Sequence, residues 1–205
     1  LARAKAAGIY DLENGMMLVS AIDKYTTGER QIAIQMIDKL VELGLKNDLI
    51  LFDRGYPSKA FFSYLDKTGI NYLVRISSQR IKQIHEAKEP DQVIHLETTA
   101  GETLKIRVIR FALDSGEEEV LVTNLFDDTL GLSDFKELYF KRWGIEVKFA
   151  ELKSRLQLEN FTGDTVISVE QDFYASMYLS NMATLAKNEA NEQIEADPEN
   201  KELNR

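Results

Sequence analysis

The run Leu49-Ile-Leu-Phe52, followed by Asp53-Arg54-Gly55-Tyr56, constrains the fold of this chain more than any other segment. Four apolar residues without polar alternation read as a buried strand, and a buried strand needs covering layers around it. An aspartate and then a glycine at the C-terminal end of such a strand mark a place where α/β sheets present functional groups. The bland reading makes Asp53 a turn former ahead of Gly55. On this segment alone the two readings stand level.

The segments around it supply the layers. Residues 16 to 23, Met-Met-Leu-Val-Ser-Ala-Ile-Asp, read as a strand after an Asn14-Gly15 turn, with residues 5 to 12 as its hairpin partner. Thr26-Thr-Gly-Glu29 fits a capping box, and Ile32, Ile34, Met36, Ile37, Leu40 and Val41 suit a helix ending near Gly44. Pro57 belongs in the first turn of a helix reaching about Lys67 and stopped by Gly69, and Asn71 to Ile76 reads as the next strand. This order of hairpin, helix, Asp-bearing strand, helix and strand resembles an RNase H-like core.

A second segment carries the other charged residues. Tyr139, Arg142, Glu146 and Lys153 stand at offsets of 0, 3, 7 and 14. On one continuous helix they fall within about 60° of each other, along about 21 Å of axis. Phe135, Leu138 and Phe149 lie on or beside that stripe. A carboxylate and a guanidinium on an apolar face are costly unless a metal ion or a phosphate pairs with them. The bland alternative is a solvated charged face, which is common. A Ser133-Asp134 cap predicts one helix over 133–156, and a further helix spans about 168–190 with Phe173, Met177, Tyr178 and Met182 in the core.

Taken together, the motifs resemble the DDE transposases of the insertion-sequence-4 type, whose signature is Y-x2-R-x3-E-x6-K. Tyr139, Arg142, Glu146 and Lys153 match every spacing, and Asp53 in Phe-Asp-Arg-Gly-Tyr matches the second catalytic aspartate of that family. Ala2-Arg3-Ala4, Gly8-Ile9-Tyr10-Asp11 and Thr27-Gly28-Glu29-Arg30 stand where relatives carry similar words, so the resemblance covers roughly residues 1 to 185. It implies an α/β, RNase H-like mixed sheet flanked by helices, with a mostly β insertion before the glutamate helix. Ninety-three positions separate Asp53 from Glu146. Gln92 to Thr98, Leu104 to Phe111 and Glu119 to Thr123 have β-rich character within that stretch, with turns at Ala100-Gly101 and Asp114-Ser-Gly116. The expected division is a catalytic domain over 1–188, with the insertion at about 78–130, and an acidic, flexible tail over 189–205.

The resemblance also implies the chemistry. Asp53 and Glu146 are the expected catalytic residues and metal ligands, holding Mg²⁺ or Mn²⁺, because all-oxygen donors suit hard cations. Tyr139, Arg142 and Lys153 are expected on DNA phosphates, near an end that the family often excises through a hairpin. The expected partners are transposon-end and target DNA and a second copy of the chain in a synaptic dimer. The first catalytic aspartate of the family lies on a strand ahead of Ala2-Arg3-Ala4, and neither Asp11 nor Asp23 fits that place. The chain is therefore expected to be an incomplete piece, inactive by itself. Two rivals remain: a transposase-derived domain that binds without cutting, and another RNase H-like nuclease.

Composition weighs on these readings unevenly. A net charge of −9 argues against a generic DNA binder. The excess sits partly in the tail, where Glu189, Glu192, Glu195, Asp197, Glu199 and Glu202 outnumber Lys187, Lys201 and Arg205. Residues 136–155 carry six cations, Lys136, Lys141, Arg142, Lys148, Lys153 and Arg155, against three glutamates. The absence of cysteine excludes disulfides and thiolate metal sites and fits a reducing cytoplasm, which the resemblance implies is bacterial. No apolar run is long enough to span a bilayer. His85 and His95 lack ligand spacing, Trp143 is expected in the core, and Glu151 falls off the charged stripe. Arg54 and Tyr56 border the expected site. Lys105, Arg107 and Arg110 are expected on solvent-facing strand positions, with DNA contact the sharper alternative.

Overall fold

A computed structural model describes residues 4–45, 49–77, 80–98 and 100–196. They group into two compact units: Leu1–Thr27 with Trp143–Arg205, and Gly28–Arg142.

The first unit is built on the hairpin of β1 (Ala4–Asp11) and β2 (Met16–Lys24), paired antiparallel from Ala4↔Lys24 to Asp11↔Met16. The turn is wider than a two-residue Asn-Gly turn. Asp11 Oδ1 accepts from the N–H groups of Glu13 and Asn14, and Gly15 closes the loop at φ 72°. That left-handed conformation is the one glycine adopts without a Cβ penalty. The α-helices α5 (Trp143–Arg155) and α6 (Val166–Ala196) complete this unit. Met17, Leu152, Leu158, Phe173 and Met177 form its core, with Tyr10, Ile22 and Phe149 packed against it. The Asn181 side chain clamps the backbone of Met17, accepting from its N–H at 2.9 Å and donating to its carbonyl at 2.8 Å. Phe173 and Met177 are buried as expected, but Tyr178 is 65% exposed and Met182 46%. The last two turn away from the side that Asn181 fastens to the hairpin. Residues 189–196 of the expected tail continue α6, and 197–205 lie outside the described residues.

The second unit opens with α1 (Glu29–Glu42), whose N-cap is Gly28 with no side-chain cap, so the Thr26 capping box does not form. β3 (Leu49–Phe52) then leads through α2 (Lys59–Thr68) to β4 (Asn71–Ile76), which pairs parallel with it from Leu49↔Asn71 to Phe52↔Val74. Ser58 caps α2, its Oγ accepting from Phe61 N–H at 3.1 Å, so Pro57 lies ahead of the cap and outside the first turn. After the short α3 (Lys82–Glu86) come β5 (Asp91–Glu97), β6 (Thr103–Ala112) and β7 (Glu118–Thr123). These strands join the same sheet, in the order β3-β4-β7-β6-β5. The stretch expected as an insertion is thus mostly β, and it widens the sheet from the β4 edge.

One face of this sheet meets α4 (Leu132–Phe140) through Leu73, Ile109, Leu121, Phe135 and Tyr139. Tyr72, next along β4, stacks on Phe62 of α2 with ring centroids 5.4 Å apart. The Tyr64 hydroxyl ties α2 to α1, donating to Asp38 Oδ1 at 2.6 Å. Arg107 and Arg110, expected on solvent-facing positions, are buried. Arg107 holds both Asp91 carboxylate oxygens and the carbonyls of Asp127 and Leu130, and Arg110 bonds the carbonyls of Ile84 and Ala87 and the Glu118 carboxylate. Their full set of partners makes them struts between strands and loops.

The single helix expected over 133–156 is two helices. Asp134 sits in the first turn of α4 and reaches back to the Gly131 N–H at 2.7 Å, so the cap is Gly131, two residues earlier than a cap at Ser133. At the other end Lys141 N–H bonds Leu138 O and Arg142 N–H bonds Tyr139 O. These i→i−3 bonds tighten the last turn and end the α-helical ladder. Tyr139 therefore lies on α4, Arg142 at the break, and Glu146 and Lys153 on α5.

Candidate active site

Asp53 follows β3 directly, half-buried, in a turn closed by Tyr56 N–H to Asp53 O at 3.2 Å. Its Oδ1 accepts from the Arg54 N–H at 2.7 Å. From α4, Tyr139 reaches the same place. Its hydroxyl donates to the Phe52 carbonyl at 3.3 Å and lies 3.5 Å from Asp53 Oδ1. The two motifs, 86 residues apart, therefore meet at one carboxylate oxygen. Tyr139 is only 5% exposed. Burial first, and then the Asp53 charge, push its phenol well above the ordinary tyrosine value; Arg142 and Arg75 pull it down and Glu119 adds to the rise.

Arg142 is buried, with its guanidinium 5.8 Å from the Tyr139 ring centre. Arg75 on β4 pairs with Glu119 on β7 at 3.1 Å, two partly desolvated charges within electrostatic reach of Tyr139. On the other side of the Asp53 turn, Glu29 leads α1. A Cβ placed on Gly55 would stand 3.1 Å from Glu29 Oε2, so glycine there leaves room for that carboxylate. Burial first, then Glu29 and Asp53, also push the Tyr56 phenol up. Glu29, Arg75 and Glu119 carried no local sign of this neighbourhood. In the sequence Glu29 belongs to a capping-box pattern and a family word, and the other two are ordinary strand charges.

Glu146 and Lys153 belong to α5 in the hairpin unit, seven positions and so about 10.5 Å of helix axis apart. Both are exposed, and Lys153 pairs with Glu159 at 2.8 Å. Glu151 is occupied by Arg155 at 3.1 Å and Lys148 at 3.7 Å. Trp143 is 53% exposed, which removes it from the core. His85 and His95 are exposed, one on α3 and one on β5. Carboxylates such as Asp53 and Glu146 offer the hard oxygen donors that Mg²⁺ or Mn²⁺ takes. Among the described residues no group of three or more His, Cys, Asp or Glu side chains is gathered to hold a metal ion. Among them, too, no helix is long and apolar enough to cross a membrane.

A sequence profile described as "Transposase DDE domain" matches residues 3–182. No curated protein matches the chain. Among solved structures, the piggyBac transposase synaptic complex with hairpin DNA is similar in fold, with a TM-score of 0.51 at 9% sequence identity. The similarity covers 89% of this chain and 42% of that one. The fold is α/β and RNase H-like, and the chain belongs to the transposase DDE domain family.

Proposed function

We propose that this chain is catalytic-domain sequence of an insertion-sequence-4-type DNA transposase, acting on phosphodiester bonds at transposon ends and joining the freed strand to target DNA. The observation that carries this reading is the Tyr139 hydroxyl at Asp53 Oδ1, which unites the two halves of the family signature that fall in the sheet unit. Asp53 and Glu146 are the proposed metal ligands. A bound Mg²⁺ or Mn²⁺ would supply Lewis-acid stabilisation of the charge that develops on phosphate during in-line displacement.

The protein's own groups have separable roles. The Arg54 N–H and the Tyr139 hydroxyl orient the Asp53 carboxylate, which makes Tyr139 a positioning residue: its burial and its bond to Phe52 O leave little of it for a phosphate. Arg142 carries a planar fork suited to phosphate oxygens, and because it is buried a phosphate has to open its surroundings to reach it. Lys153 acts as a point charge, and a DNA phosphate has to displace Glu159 to reach it. The proposed partners are transposon-end and target DNA and a second copy of the chain in the synaptic complex, in the bacterial cytoplasm.

A second reading, a transposase-derived domain that binds DNA or another protein without cutting, draws support from the net charge of −9. Mn²⁺ titration followed by electron paramagnetic resonance separates the two. Transposase chemistry predicts that Asp53→Asn and Glu146→Gln each weaken Mn²⁺ binding by at least about tenfold, or 1.4 kcal/mol. Binding unaffected by either substitution sinks the catalytic reading.

A further inference from the structure

Six residues beyond Asp53 the chain enters α2, and the start of that helix borders a solvent-open pocket of about 340 Å³. Lys59, Arg80 and Lys82 line it, with the polar Ser58 and Gln83 and the buried Pro57 and Ile81. Three lining residues are cationic and none is anionic, in a chain whose net charge is −9. The manner in which the cations are held preserves their charge. Arg80 Nη1 donates to the Arg54 carbonyl at 3.0 Å, and Lys59 Nζ donates to the Glu97 carbonyl at 2.6 Å. A carbonyl fixes a cation in place but does not neutralise it, as a carboxylate would. Among the described residues, only Lys82 of the three forms an ion pair, with Glu86 at 3.7 Å, and that pair is exposed and weak.

The rest of the wall also favours an anion. Ser58 Oγ accepts from Phe61 N–H, which leaves its own proton to donate outward. The first turn of α2, ten residues long, adds backbone N–H groups and the positive end of the helix dipole. The Arg80–Arg54 bond ties the pocket to the residue that follows Asp53.

We propose that this pocket binds a backbone phosphate of DNA, gripping the strand beside the point where Asp53 acts. The inference rests on the reading of the chain as a transposase domain. Its chemistry is that of a phosphate oxyanion held by two or three unneutralised cations, and the open mouth suits a phosphate carried on a polymer.

The test is fluorescence anisotropy of the full chain with a labelled mixed-sequence duplex across a range of salt. Arg80→Gln/Lys82→Gln is expected to bind roughly tenfold more weakly at low salt. Its log K against log salt plot is expected to be shallower by about 0.9, the loss of one phosphate contact. The charge-preserving Arg80→Lys/Lys82→Arg variant should keep the wild-type slope, which removes misfolding as an explanation. A wild-type slope in the Gln variant, or an equal loss from the distant exposed Lys39→Gln, overturns the proposal. If the wild type does not bind the duplex, pyrophosphate titration read at the Lys59 and Ala60 amides decides. Shifts there keep the anion pocket while the DNA reading falls; no shifts remove both.

Discussion

The Gly28–Arg142 unit and the hairpin unit hold their candidate carboxylates in opposite ways. In the first, Asp53 is half-buried, bonded by its own turn and approached by a tyrosine that a sheet and a helix enclose on both sides. In the second, Glu146 and Lys153 stand on the exposed side of α5, over a core of Met17, Leu152, Leu158, Phe173 and Met177. A carboxylate fixed by packing is preorganised before any ligand arrives, whereas an exposed one is ordered by what it binds. The difference teaches that the position of Asp53 is built into the turn and packing of its own unit, whereas Glu146 stands on a solvent-facing side of its helix.

The sharpest way to break this comparison is to damage each core separately. Phe135 and Phe173 are both fully buried, one in each unit. Phe135→Ala should cost about 3–5 kcal/mol, because it removes a full aromatic side chain. It also removes the ring beneath the Arg107 guanidinium, 4.9 Å away. Urea denaturation should show a larger loss for Phe135→Ala than for Phe173→Ala. The reverse order would mean that the hairpin unit is the better packed of the two.

Alkaline pH should separate the units next. Tyr56, Tyr64, Tyr72 and Tyr139, all in the sheet unit, have phenols raised first of all by burial, and in the hairpin unit Tyr10 is raised by the same cause. A phenol raised in the folded state favours folding fully below the unfolded value of about 10, and that contribution is lost as pH climbs above it. Hydrogen exchange between pH 9 and 11.5 should therefore show protection lost first in β4 and α4. Earlier loss in the hairpin contradicts the account.

The smallest expected effect lies on the surface. Lys153–Glu159 is an exposed pair, so Lys153→Gln should change stability by less than about 1 kcal/mol. The same substitution should lower duplex affinity measurably at low salt if Lys153 meets a phosphate. An unchanged affinity would remove Lys153 from the DNA-binding surface.

Much of the sheet unit was legible from local pattern. The apolar run at 49–52, the strand at 71–76 and the β-rich stretches at 92–98, 104–111 and 119–123 fall on observed strands within a residue or two. Side-chain period and turn residues are local signals, and they suffice for such elements. The order β3-β4-β7-β6-β5 was not legible, because strand pairing depends on partners distant in sequence. The break after Phe140 was missed for a related reason. Nothing in Phe140-Lys-Arg142-Trp marks a stop, and the i→i−3 bonds that end the helix are visible only in three dimensions. Arg107 and Arg110 misled because alternating charge on a strand looks solvated until acidic and carbonyl partners close around it. Of the candidate site, Asp53 and Tyr139 could be named from motif spacing, whereas Glu29, Arg75 and Glu119 enter only through tertiary contact.

The account turns on the Tyr139 hydroxyl as the group that fixes Asp53, and Tyr139→Phe removes that hydroxyl alone. The direct measurement is Mn²⁺-induced broadening of backbone amide resonances, at substoichiometric metal, in wild type and Tyr139→Phe. Broadening centred on Arg54 and Gly55 that weakens several-fold in the variant, with a loss of stability no larger than the 0.5–1.5 kcal/mol or so of one hydrogen bond, is the predicted result. Broadening that is unchanged by the substitution, or centred away from the Asp53 turn, would contradict it.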